Sequence, residues 1–126
     1  MKKEWPEKAS PQQRAAVKDA LRRLHSKYPG RILSTVLFGS VARGDFTRDS
    51  DIDVLVVVDR LDVDFKWDIW GVGSQVSLEF DVILDLHVFS QAHWGSLRAK
   101  HRTLWRNVER DGIELKLQSE PDLAPA

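Results

Sequence analysis

Cysteine is absent from the 126 residues. Without a thiol, disulfides, zinc–thiolate sites, iron–sulfur clusters and thiol nucleophiles are all excluded. An excess of one charge is also missing: 19 Lys+Arg face 19 Asp+Glu, for a formal net charge of +0. Proteins that grip nucleic acid by bulk charge carry a basic excess, so strong nucleic-acid binding is not expected. Long apolar runs are lacking too. Val54–Val58 is the most extended, far short of the roughly 20 residues that cross a bilayer. Met1-Lys2-Lys3 leads directly into Glu4 and Trp5 without the apolar stretch of a signal peptide. A cytoplasmic protein without membrane contact is the expectation.

What is present reads as one folded domain. The hydrophobic fraction is 42% and the charged fraction 30%, a balance found in folded rather than disordered chains. The length is enough to bury a core without staples. Residues 1–9 are polar and expected to be flexible, residues 10–118 to form the domain, and residues 119–126, with two prolines, to be a disordered tail. Ser10-Pro11-Gln12-Gln13 has the composition of a helix start, with Ser at the cap, Pro at the first position and Gln at the third. Val17, Ala20, Leu21, Leu24 and Tyr28 follow at helical spacing, and Pro29-Gly30 ends the run. Ile32–Phe38 reads as a strand, Gly39 to Ser50 as a loop with or without a short helix, and Asp51–Val58 as the strongest strand. Phe65, Ile69, Val72 and Val76 predict a helix over 63–79, and Phe80 to Phe89 a third strand with its core at Val82–Phe89. Ser90 is placed to cap one last helix carrying Trp94, Leu97, His101, Leu104, Trp105 and Val108, ended by Asp111-Gly112. Ile113 to Leu117 alternates like an edge strand. The fold class is therefore α/β (α+β): a mixed sheet with helices packed on one side.

Three features carry chemistry. Gly39-Ser40 stands directly after a strand, Asp51-Ile52-Asp53 opens the next one, and Asp85 is embedded in the apolar run Val82–Leu86. Side chains alternate along a strand, so Asp51 and Asp53 share a face. Same-face carboxylates repel unless a cation lies between them, and hard divalent ions suit oxygen donors. A bare Asp-x-Asp is equally the solvated end of a strand. Asp85 argues against that, because burying an unpaired carboxylate among Val, Ile and Leu costs several kcal/mol. Asp81 and His87 share its face, and Asp81 is the alternative third acid. Gly lets a backbone approach a ligand closely, and successive N–H groups can cradle phosphate oxygens. Arg43 and Arg48 lie in the same loop.

Together the strings Gly39-Ser40-Val41-Ala42-Arg43-Gly44-Asp45 and Asp49-Ser50-Asp51-Ile52-Asp53-Val54-Leu55-Val56 resemble the nucleotidyltransferase signature of the DNA polymerase β superfamily. They are most similar to the minimal nucleotidyltransferases, the small antitoxin-type members found beside HEPN-domain partners. The likeness runs from about Leu21 to Leu117, including the ending Trp105 to Leu115. The resemblance implies the polymerase β-like nucleotidyltransferase fold and a Mg²⁺-dependent transfer of NMP, most simply AMP from ATP, to a hydroxyl on a partner protein. It implies that Gly39, Ser40 and Arg43 bind the nucleotide and that Asp51, Asp53 and Asp85 are the catalytic metal ligands, holding two Mg²⁺ ions. It also implies a HEPN partner within a toxin–antitoxin pair; an antitoxin that neutralises this partner by docking alone is the alternative.

Other residues have blander readings. His25, His93 and His101 show no metal spacing, whereas His87 stands two residues from Asp85 on the same face. Trp67 and Trp70 fall off the stripe of Phe65, Ile69 and Val72, which fits a partner surface or two large residues partly covered within the fold. Arg98, Lys100, Arg102, Arg106 and Arg110 fit a solvated helix face or an acidic partner.

Overall fold

The protein is described by a computed structural model covering residues 4–116. The elements are α1 (Pro11–Lys27), β1 (Ile32–Phe38), α2 (Gly39–Arg43), β2 (Ile52–Val58), α3 (Val63–Phe80), β3 (Leu84–Ser90), α4 (Gln91–Ala99), α5 (Thr103–Asp111) and β4 (Ile113–Glu114). The start of α1 follows from its sequence. Ser10 Oγ accepts from the Gln13 backbone N–H at 3.0 Å, and the Ser10 N–H donates to Gln13 Oε1 at 2.8 Å. This reciprocal cap satisfies backbone donors that a helix start leaves open. Ahead of it, Ala9 is buried and Lys8 Nζ donates to the Phe46 carbonyl at 2.7 Å. Asp62 caps α3 by accepting from the Phe65 N–H at 2.8 Å.

The four strands lie in the order β3-β2-β1-β4. β2 is parallel to β3 and antiparallel to β1, and β1 is antiparallel to β4. α3 is the crossover that a parallel pair requires. Alternation along the central strands divides the core. Leu37, Val54, Val56 and Val58 pack with Val17, Leu21 and Leu24 of α1 and with Ile69 and Val76 of α3. Val36, Phe38, Leu55 and Val57 face the other way, against Val108 with Trp94 and Leu104.

The mixed α/β sheet is as expected, and four details differ. First, α1 and α3 cover one face, but α4 and α5 pack on the other. Both faces of β1 and β2 are apolar, so both need cover. Second, Phe80 is helical and the third strand begins at Leu84. Asp81 turns the chain with φ 54, and Ser77 Oγ accepts from the Leu84 N–H at 2.9 Å while donating to the Gly73 carbonyl at 2.8 Å. The strand's first donor is thereby tied to the helix. Third, the last helix is two helices, broken at Lys100–Arg102 with His101 at φ 50. The bend brings Trp94 and Leu104 against the same small core. Fourth, the edge strand is only Ile113–Glu114, opposite Val36 and Leu37, extended by the Leu115 N–H donating to the Thr35 carbonyl at 2.9 Å. Leu117 and the tail 119–126 lie outside the described residues. No helix among the described residues is long and apolar enough to cross a membrane.

Candidate active site

The site is built where β1 hands over to α2 and where β2 and β3 begin. Asp53 sits on β2 opposite Phe38, the last residue of β1. Across the parallel pair, Asp53 is in register with Asp85. Residues in register on adjacent strands project to the same face, so the two carboxylates stand side by side. Gly39 follows Phe38 with φ 81, and a Cβ placed there would overlap Asp53 Oδ2. Only glycine satisfies both the left-handed backbone and that close approach. Ser40 follows in the first turn of α2, half-buried.

Among the described residues, Asp53, Asp85 and His87 offer ligand atoms that all lie within 4.8 Å of one another. His87 Nε2 is 3.0 Å from Asp53 Oδ1 and 3.4 Å from Asp85 Oδ2. Its ring rests edge-on against Phe38, with centroids 5.0 Å apart at 60°. The hydrogen bond to Asp53 raises the His87 pKa above the usual histidine value. Burial opposes this rise, and the charges of Asp85, Asp53 and Asp51 add to it.

Sequence-predicted residues divide accordingly. Asp53 and Asp85 are brought together. Asp51 lies one residue before β2, exposed, and outside the 4.8 Å group, although its charge reaches His87. Asp81 is the C-cap of α3 and lines a cavity of about 660 Å³ with Lys8, Phe46 and Arg48, so Asp85 is the acid that accompanies Asp53. Arg43 is engaged by protein carboxylates. Its Nε is 3.2 Å from Asp45 Oδ2 and its Nη1 3.4 Å from Asp111 Oδ2. Asp111, buried at the end of α5, also takes Arg110 Nε at 3.0 Å and Nη2 at 2.8 Å. Arg110 first, and then Arg43, holds the Asp111 carboxyl below the usual carboxylate range, against the opposing effect of burial. Sequence reasoning read Asp111 only as a helix breaker, and nothing in its local pattern marks it. His87 carried a signal, its shared face with Asp85, but its place between both acids needed the register of β2 on β3.

The family pattern described as "Nucleotidyltransferase domain" matches residues 17–108. That span contains Gly39, Ser40, Asp51, Asp53, Asp85 and His87. The chain belongs to the nucleotidyltransferase family. This nucleotidyltransferase is 43% identical over 76 residues to "putative protein adenylyltransferase MJ0604" of Methanocaldococcus jannaschii, an alignment covering 60% of this chain and 72% of that one. Its fold is similar to a solved "putative minimal nucleotidyltransferase", with a TM-score of 0.55 at 24% identity, covering 87% of this chain and 100% of the other. It is similar also to the Shewanella oneidensis assembly of a tri-AMPylated HEPN toxin with an MNT antitoxin, with a TM-score of 0.50 at 22% identity, covering 89% and 78%. At these identities the structural likeness concerns the fold.

Proposed function

We propose that this nucleotidyltransferase transfers AMP from ATP to a hydroxyl of a HEPN-class partner protein, in the cytoplasm, as the antitoxin of a toxin–antitoxin pair. One observation carries the reading: Asp53 and Asp85 stand in register beside the Gly39 turn, so paired carboxylates adjoin a backbone that a phosphate chain can approach. The name of the Methanocaldococcus relative supports a protein as acceptor, and the Shewanella assembly pairs an AMPylated HEPN toxin with an MNT antitoxin.

The donor set fits Mg²⁺. Asp53 and Asp85 offer hard oxygens crowded on one face, and like charges so placed favour a cation between them. Asp53, Asp85 and, from the strand entrance, Asp51 would hold two such ions. When bound, these ions stabilise the attacking and leaving oxygens of an in-line displacement at phosphorus. The remaining work falls to the chain. Gly39 lets the β1–α2 turn approach the triphosphate, and Ser40 Oγ with the backbone N–H groups of that turn donates to the β and γ phosphate oxygens. Arg43 adds positive charge at the end of α2; its pairing with Asp111 makes it chiefly a brace for that helix. Asp85, half-exposed on its side chain at 50%, accepts the hydrogen bond of the incoming hydroxyl. The hydroxyl passes its proton to the Asp85 carboxylate as its oxygen bonds to the α-phosphorus, the bond from that phosphorus to its bridging oxygen breaks, and pyrophosphate leaves.

The test is incubation with ATP, Mg²⁺ and a HEPN partner, followed by intact-mass analysis. A partner carrying added AMP with the wild type, and none with Asp53→Asn, is the expected result. Neutralisation of the partner with no adduct would replace this reading with an antitoxin that acts by docking alone.

A further inference from the structure

We infer that His87 is itself a metal ligand: its Nε2 joins Asp53 and Asp85 around one divalent cation, making a mixed nitrogen–oxygen site that favours Mn²⁺ over Mg²⁺. The inference rests on the proposed reading that Asp53 and Asp85 hold a divalent ion. It goes beyond it by adding a nitrogen donor and a metal preference.

Three observations converge on His87. Its Nε2 is the ring atom that faces the acids, 3.0 Å from Asp53 Oδ1 and 3.4 Å from Asp85 Oδ2. Each of the three residues offers a donor atom within 4.8 Å of the other two, so one ion can be shared without rearranging the backbone. The imidazole is also aimed beforehand, because Phe38 supports its ring edge-on at 5.0 Å and its side chain is only 30% exposed. On its other side Asp53 Oδ2 occupies the space that a Cβ at residue 39 would fill.

Charge points the same way. Asp53 and Asp85 place two carboxylates side by side on the β2–β3 pair. A divalent ion offsets both and uses the imidazole as a neutral donor. Ligand chemistry then sets the preference. Mg²⁺ selects oxygen and keeps its waters, whereas imidazole suits the transition ions. A site of two carboxylates and one imidazole therefore shifts toward Mn²⁺. The other histidines cannot supply this nitrogen: His25 is on α1, His93 on α4 and His101 between α4 and α5, and none belongs to the cluster.

The probe is Mn²⁺ alone, added to the full chain. Electron spin-echo envelope modulation on the wild type reads a bound histidine nitrogen directly, without depending on any variant. Modulation from ¹⁴N is expected in the wild type and lost in His87→Val, whose β-branched side chain suits the strand. Mn²⁺ affinity should fall by about tenfold or more in the variant, and Mg²⁺ affinity by less. Bound Mn²⁺ without histidine modulation in the wild type overturns the inference and leaves Asp53 and Asp85 as the ligands. No Mn²⁺ binding overturns it as well, and the AMP-transfer assay in Mg²⁺ then decides separately whether the proposed function stands.

Discussion

At Gly39 two constraints meet, a positive φ and a carboxylate where a Cβ would lie. Gly39→Ala must strain the backbone and displace Asp53, the side chain on which the chemistry depends. We expect a loss of about 1–3 kcal/mol in stability, typical of a strained backbone site, and loss of AMP transfer; chemical denaturation and intact-mass assays check the two parts. Crowded acids make a second residue-level case. Sequence alone expects Asp51, Asp53 and Asp85 to repel one another with nothing to neutralise them, so that Asp51→Asn or Asp85→Asn would stabilise the metal-free protein. His87 changes that balance, because its Nε2 lies 3.0 Å from Asp53 Oδ1. Asp53→Asn should therefore destabilise the metal-free protein by about 0.5–1.5 kcal/mol, the net worth of an ordinary hydrogen bond, whereas Asp51→Asn, exposed and outside the cluster, should leave it unchanged or slightly more stable. Thermal melts without metal distinguish the two variants, and equal shifts would contradict the His87–Asp53 link.

Between elements, Asp111 joins the end of α5 to Arg43 at the end of α2, the short helix that carries Gly39 and Ser40. Asp111 is buried and its carboxylate is paired. Asp111→Asn removes the negative charge and one of the acceptor oxygens that Arg43 and Arg110 share, and we expect a cost of about 1–3 kcal/mol. The sign of the pH effect follows from its lowered pKa. A carboxyl that binds its proton less readily when folded contributes fully above the ordinary carboxylate value of about 4. That contribution is lost as pH falls through the lowered folded value. Stability of the wild type should thus decline on acidification below about pH 4, more steeply than that of Asp111→Asn, as denaturant midpoints across that range will show. A second inter-element tie is Ser77, which accepts from the Leu84 N–H and donates to the Gly73 carbonyl. Ser77→Ala removes both bonds and leaves the first donor of β3 unpartnered inside the fold, so a loss of about 1–3 kcal/mol is expected.

For the whole molecule, ligand binding and folding are linked. A cation that binds the folded chain and not the unfolded one stabilises it by mass action. Mg²⁺ at fixed ionic strength should raise the melting temperature of the wild type and do less for Asp53→Asn or Asp85→Asn. An equal response in all three proteins would place the cation elsewhere. The sheet explains why the effect reaches the entire fold: β2 is flanked by β1 and β3, and its residues enter both cores. Tightening the start of β2 therefore tightens the strand that every layer shares.

Local chemistry made much of this protein legible without coordinates. The Ser10–Gln13 cap, the β-branched run of β2, the Gly39-Ser40 turn and the Asp51-Ile52-Asp53 spacing are short-range patterns, and each fixes backbone or face within a few residues. The choice between Asp81 and Asp85 was not local. Both occupy the same parity, and what separates them is that α3 continues to Phe80, so Asp81 becomes its cap while Asp85 enters a strand. Likewise a single apolar stripe from Trp94 to Val108 is compatible with one helix or two, and packing against the second face of the sheet decides for two. The pairing of Asp53 with Asp85, the seat of His87 between them and the Asp111–Arg43 brace span 32, 34 and 68 residues of chain. Such contacts depend on strand register and helix docking, which set distances between segments that a linear pattern cannot order.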